Sequence, residues 1–254
     1  LVPGTLTMLS GTKVSVNPSS APVHNIFLIN KGELNIDQNV NLDNVNDAYN
    51  RSTFISSKVT LAPGVTMTGS TNNQNAIVQK NFAGGSRSDI TLNNNGGNII
   101  LSGTDSIGMA ADYGEITNSG TITISGPDSI ALLGANGTKI ENTGTINIAS
   151  TGVGIYGTNL LNTTIPLYGD KKIEIENDGL ITLTSSAGRG YGIYAGNLDT
   201  AVPLSDSTVL LGSNSLIDMS TGSDGVELFA QTSSLTINGG IIPSTNSRGE
   251  YNQH

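Results

Sequence analysis

Cysteine and tryptophan are absent from the 254 residues, and only 7 Tyr and 4 Phe supply aromatic rings. Without cysteine there is no disulfide, no thiol nucleophile and no thiolate-ligated zinc. Charge is scarce too: 12% of the residues carry it, against about 25% in an average globular domain, which argues against charge-rich disorder. The 11 basic and 20 acidic residues sum to a formal charge of −9, so no basic stripe is available to neutralise phosphates or an anionic bilayer. Nucleic-acid partners are disfavoured. No run approaches the ~20 apolar residues of a membrane-spanning helix. The start, Leu1, lacks both Met and the regions of a signal peptide, so the chain is expected to be a mature or excised piece.

What is abundant is small and polar: 29 Asn, 28 Ser and 28 Thr, together with 32 Gly. Asn, Ser and Gly compete with or loosen a helical backbone, whereas Thr, Val and Ile suit strands. An all-β fold is expected, with a core built from Ile, Leu and Val.

A nine-residue phrase, I-x-N-x-G-x-I-x-I, recurs at Ile116–Ile124, Ile140–Ile148 and Ile175–Leu183. Looser copies start at Leu92, Leu211 and Leu235, and an early one runs Leu28, Asn30, Gly32, Leu34, Ile36. From Leu92 the steps between copies are 24, 24, 35, 36 and 24 residues. A second short strand follows each copy, as at Val153–Tyr156 and Tyr191–Tyr194. Such strands cannot bury an apolar face alone, and a repeat of this length without helix signals gains a partner by stacking coil on coil. The expected fold is an all-β, right-handed parallel β-helix of about eight coils. Asn30, Asn94, Asn118, Asn142 and Asn177 are expected to stack as a structural ladder at one corner, amide bonded to amide. The Gly two residues later is read as a bend with positive φ.

The whole chain, 1–254, reads as one such segment, with 1–27 as an N-terminal coil or cap. Loop insertions are expected at 37–58, 68–88, 158–172 and 196–209, where the period breaks. The last two resemble each other and should protrude side by side, and insertions in solenoids often carry binding. Their polar and aromatic residues, Tyr168, Asp170, Lys171 and Lys172 on one and Asp199 and Asp206 on the other, are the candidate ligand contacts. Tyr156 and Tyr194, in one column with Phe229, join them if that column faces outward, where rings can pack a sugar. Facing inward, the column is an ordinary core ladder.

Reactive constellations are not found. His24 and His254 have no spacing that assembles a Ser-His-Asp triad. Glu141, Glu174 and Glu176 come close by register, but on an outward face, where solvated charge is the ordinary reading. Gly84–Asp89 is similar to a calcium-binding nonapeptide, yet occurs once and places an Arg in the cage. No catalytic residue, metal or cofactor is assigned.

The phrase, with the strands Val153–Gly157 and Tyr191–Ala195, high Asn, Ser and Thr and absent Cys, resembles the passenger region of Gram-negative type V autotransporter adhesins, especially the large fusobacterial outer-membrane adhesins. The resemblance covers about Leu92 to Ile242, and Leu28 to Ile36 locally. It implies display at the cell surface, anchored to the bacterial outer membrane through a C-terminal barrel that is not in this chain. It also implies adhesion as the function, with a host-cell glycan, a receptor protein or another bacterial surface as partner. A stalk segment, with binding elsewhere on the full chain, and a carbohydrate-active β-helix enzyme are the alternatives.

Overall fold

Ile, Leu and Val at alternate places of the phrase, with Thr between them, give short strands one apolar and one polar face. The computed structural model describes residues 5–8, 25–30, 32–44, 51–55, 57–80, 87–149, 151–159, 172–184, 189–196, 207–219, 221, 225–230, 234–240 and 250–252. They form a right-handed parallel β-helix with three sheets. The first sheet has nine strands, from Thr5–Met8 to Ser234–Ile237, and the second has seven, from Val40–Asn41 to Leu216–Asp218. The third has nine, from Asn25–Asn30 to Glu250–Asn252. Each coil takes one strand from each sheet in turn, and coils pair residue on residue, Leu92 with Ile116 and Ile116 with Ile140.

Columns of identical or similar side chains therefore fill the interior. Ile122, Ile146, Ile181 and Ile217 line up in the second sheet, each with no exposed surface. Between them Thr121, Thr123, Thr145 and Thr182 point outward and keep partial exposure.

At the corner between the first two sheets stands the asparagine ladder. Asn94 Nδ2 donates to Asn118 Oδ1, Asn118 to Asn142 and Asn142 to Asn177, each at 2.7 Å, and all four side chains are fully buried. The ends are satisfied too, since Gly97 N–H donates to Asn94 Oδ1 at 2.9 Å and Asn177 Nδ2 donates to Ser215 Oγ at 2.6 Å. Asn30 is not a rung. It ends a strand of the third sheet and pairs with Ile55, while Leu34 and Ile36 belong to the first sheet. The early copy thus straddles a different corner, where apolar alternation on both sides imitates the phrase.

Ile36, Leu61 and Leu211 hold the asparagine place in the flanking coils. Leu61 and Leu211 are followed by a longer corner that closes on main-chain bonds, Val65 N–H to Ala62 O at 3.3 Å and Ser215 N–H to Gly212 O at 3.2 Å. This shifts the copy assigned to Leu211: the residue paired with Ile175 is Val209, and the extra residues lie in the turn. The glycine of the phrase also has another reason than the expected one. Gly120, Gly144 and Gly179 are not among the positive-φ glycines. A Cβ there would lie 2.1 to 2.2 Å from a backbone carbonyl of the coil below (Gly97, Gly120 and Gly144 in turn), so the requirement is close approach.

Two stretches read as insertions carry regular strands. Val40–Asn41 and Arg51–Ile55 lie inside 37–58, and Thr66–Gly69 and Asn75–Lys80 overlap 68–88. Met67 and the Pro63-Gly64 turn replace the usual Ile and Asn-x-Gly there, which hid the period. Thr5–Met8 and Asn25–Asn30 likewise place part of 1–27 in regular coils. Outside the barrel wall, Arg87 in the turn Arg87–Asp89 pairs with Glu174 at 3.3 Å and donates to Lys172 O at 3.1 Å, linking coils three steps apart.

Candidate functional site

The outer surfaces of the three sheets differ in chemistry. The first sheet presents charged and polar side chains, including Glu115, Lys139, Glu141, Glu174 and Glu176, and the second presents mainly Thr and Asn. Glu141 is 3.7 Å from Lys139, and Glu174 is held by Arg87, so these acids sit in ion pairs on a solvated wall. Among the described residues no group of three or more His, Asp or Glu is arranged to hold a metal.

The third sheet is the exception. Over five coils its outer side carries two apolar columns, Ile107, Ile130, Val153, Tyr191 and Val226 in one and Ala110, Leu133, Tyr156, Tyr194 and Phe229 in the other; Ala110, Tyr156 and Val226 are covered by their neighbours and the other seven are partly exposed. The inward column between them, Met109, Leu132, Ile155, Ile193 and Leu228, has no exposed surface. The strands break strict alternation, because two consecutive residues face inward, as at Ala131-Leu132 and Gly154-Ile155. A Cβ on Gly154 would meet Gly192 O at 2.6 Å and Ile181 Cγ2 at 2.8 Å, so in this coil the bend takes a residue without one, whereas Ala131 and Glu227 fit the same place in other coils. The effect of the bend is to turn the Tyr156 column away from the interior: Tyr194 and Phe229 keep partial exposure, while Tyr156 is 8% exposed and covered by its neighbours.

The rings pack on one another. Tyr194 stacks on Phe229 with centroids 4.6 Å apart and meets Tyr156 and Tyr191 edge-on at 5.2 and 5.4 Å. Burial raises the phenol pKa of Tyr156, with Tyr194 adding to it and a hydrogen bond to Thr158 opposing it; burial and then Tyr191 raise that of Tyr194. Both remain neutral hydroxyls at physiological pH. The Tyr194 ring face turned to Phe229 is occupied, so this cluster presents edges and aliphatic surface rather than an open stacking platform. Sequence reasoning missed the second, aliphatic column of the surface, Ile107, Ile130 and Val153, whose signal is the run of apolar residues on both sides of the bend.

At the rim, Asp112 accepts a hydrogen bond from Asn136 Nδ2 at 2.7 Å. Burial raises its pKa, and the Asn136 bond offsets this only in part. A carboxyl with a raised folded-state pKa disfavours the fold above that pKa, and stability is regained as pH falls through it toward the ordinary value. Asp112→Asn is therefore expected to raise thermal stability at neutral pH, with the gain vanishing in acid near pH 3. A parallel offset between the two melting curves at all pH values would contradict this.

Of the remaining candidates, Lys172 is half-buried and its carbonyl is held by Arg87. Tyr168, Asp170, Lys171, Asp199 and Asp206 lie outside the described residues.

Three stacked parallel sheets and an uninterrupted hydrophobic column define a pectate lyase-like β-helix domain. Residues 8–208 match the family of BigA third pectate lyase-like domains, and the chain belongs to that family. Such a domain suggests a bacterial surface-associated protein. No curated protein and no solved structure matches the chain.

Proposed function

We propose that this chain is a non-catalytic β-helix segment displayed on a bacterial surface, where it mediates adhesion to host cells or to other bacteria. The observation that carries the reading is the outer face of the third sheet. The second sheet exposes single apolar residues such as Ile100, but only the third carries adjoining apolar and aromatic residues over five coils, rimmed by polar residues, which is the mark of a contact site. Delivery as the passenger of an autotransporter, anchored by a barrel outside this chain, accords with the Cys-free sequence and the coil-on-coil fold. Two of the first sheet's acids, Glu141 and Glu174, are engaged in ion pairs, which supports a binding role over glycosidic chemistry.

The test is saturable binding of the labelled chain to epithelial and bacterial cells. Leu133→Glu and Tyr194→Glu, each folded by circular dichroism, are expected to lower binding at least tenfold, while Thr123→Glu on the second sheet leaves it unchanged. Equal binding by all four proteins would reject the third-sheet face as the site. The regular rod also favours a stalk role, and failure of the parent chain to bind any cell would establish that reading instead. Turnover of an acidic polysaccharide, lost on replacing Glu141 or Glu176, would decide for an enzyme.

A further inference from the structure

The apolar face of the third sheet is graded along the axis. At one end stand small and aliphatic residues, Ile107 and Ala110 in one coil and Ile130 and Leu133 in the next. At the other stand Tyr191 and Tyr194, then Val226 and Phe229, with Val153 and Tyr156 in the middle coil. None of these ten positions is charged; the charges nearest to them in the same sheet are Glu227, fully buried behind the face, and Asp112 at its rim. Such a surface is self-complementary when a second copy is laid on it upside down. A two-fold axis through the middle coil, perpendicular to the stack and in the plane of the face, sets Ala110 opposite Phe229 and Leu133 opposite Tyr194. The smallest side chain, Ala110, then meets the bulky Phe229, aliphatic Leu133 and Ile130 meet the tyrosines Tyr194 and Tyr191, and Val153 and Tyr156 meet their own copies. The same rotation keeps each corner on its own side. It brings the rim residue Asp128, exposed beside Ile130, toward Arg189, exposed beside Tyr191, so opposite charges flank the apolar centre.

We propose that two copies of this chain associate through the outer face of the third sheet in this antiparallel, two-fold arrangement. The inference rests on reading that face as a contact surface and names its occupant. Sheets pack face to face with their strands within about 30° of each other, a geometry open to two identical walls. Five rungs at ~4.8 Å by six residues at ~3.3 Å give on the order of 500 Å² per copy, about 1,000 Å² in all. That lies at the low end of specific interfaces, so association is weak in dilute solution and favoured where copies are crowded or arrayed on a surface.

The absence of cysteine makes the test clean. Sedimentation of the chain from micromolar to millimolar concentration should show reversible dimerisation, lost in Tyr194→Glu. Under mild oxidation Val153→Cys should cross-link with itself, and Leu133→Cys should cross-link with Tyr194→Cys in preference to itself. Thr123→Cys, on the second sheet, serves as the background. A chain that stays monomeric to millimolar concentration, with Val153→Cys cross-linking no better than Thr123→Cys, overturns the proposal. So does a Leu133→Cys homodimer that outcompetes the mixed pair, because it requires a parallel arrangement. Cell binding separates this inference from the one beneath it. A monomer whose cell binding still depends on Tyr194 overturns the homotypic pair and leaves the contact surface standing. Dimerisation lost in Tyr194→Glu with cell binding intact supports the pair and removes the adhesion role of this face.

Discussion

Ile148→Asp is expected to destabilise the fold by about 4 kcal/mol or more, because it buries a carboxyl with no partner and removes an apolar side chain from a packed column. Ile148 is 1% exposed and stands between Ile124 and Leu183 in the second sheet. Its Cγ2 and Cδ1 fill the space that Gly152 and Gly154 leave open, at 3.2 and 3.3 Å from where their Cβ atoms would be. The neighbouring Asn147 faces outward and donates to Thr123 Oγ1 at 3.3 Å, so Asn147→Asp is expected to stay within about 1 kcal/mol of the parent. Urea titration with hydrogen exchange on the coils of Thr121–Ile124 and Leu180–Leu183 measures the difference. In a stack where each coil contacts mainly its neighbours, the loss is expected to appear there first. Similar shifts for the two variants would contradict the inward and outward assignment of the whole second sheet.

Asn118→Leu is expected to cost roughly 2–5 kcal/mol, for a different reason. Leucine already stands in this column at Leu61 and Leu211, so a side chain of that shape fits. The loss lies in hydrogen bonding: Asn94 Nδ2 loses its acceptor and Asn142 Oδ1 its donor, both fully buried, and each orphaned group carries a desolvation penalty. Thr117→Val, one residue away on the outer wall, is expected to be near neutral. The free energies follow from urea midpoints of the three proteins. A neutral Asn118→Leu would mean that the ladder contributes nothing beyond filling space.

The repeat made the stacked architecture legible because the copies from Ile116 to Leu183 combine apolar alternation with one polar corner residue. Legibility failed where a different local solution does the same job. At Leu61 and Leu211 a main-chain turn replaces the asparagine, so the phrase loses its marker and its phase slips by two residues. At Asn30 another corner carries the same residue types. The orientation of Tyr156 and Tyr194 was illegible for a geometric reason. Counting by twos from Val153, which faces out, places Tyr156 inside, but the bend at Gly154 sends two residues inward in succession. The outward apolar face is a product of that bend, and glycine in a strand gave the hint of it.

In this stack the hydrogen bonds between strands run along the rod while the chain runs around it. A pull on the two ends would therefore strain one rung at a time and unwind the molecule from its ends, like thread from a spool. Each freed coil of the length separating Ile116 from Ile140 would lengthen the tether by about 80 Å, at ~3.3 Å per extended residue. The pair Arg87–Glu174, which reaches across intermediate coils, would act as a catch against that unwinding. A rod built this way yields to a pull in increments, lengthening coil by coil instead of failing at once.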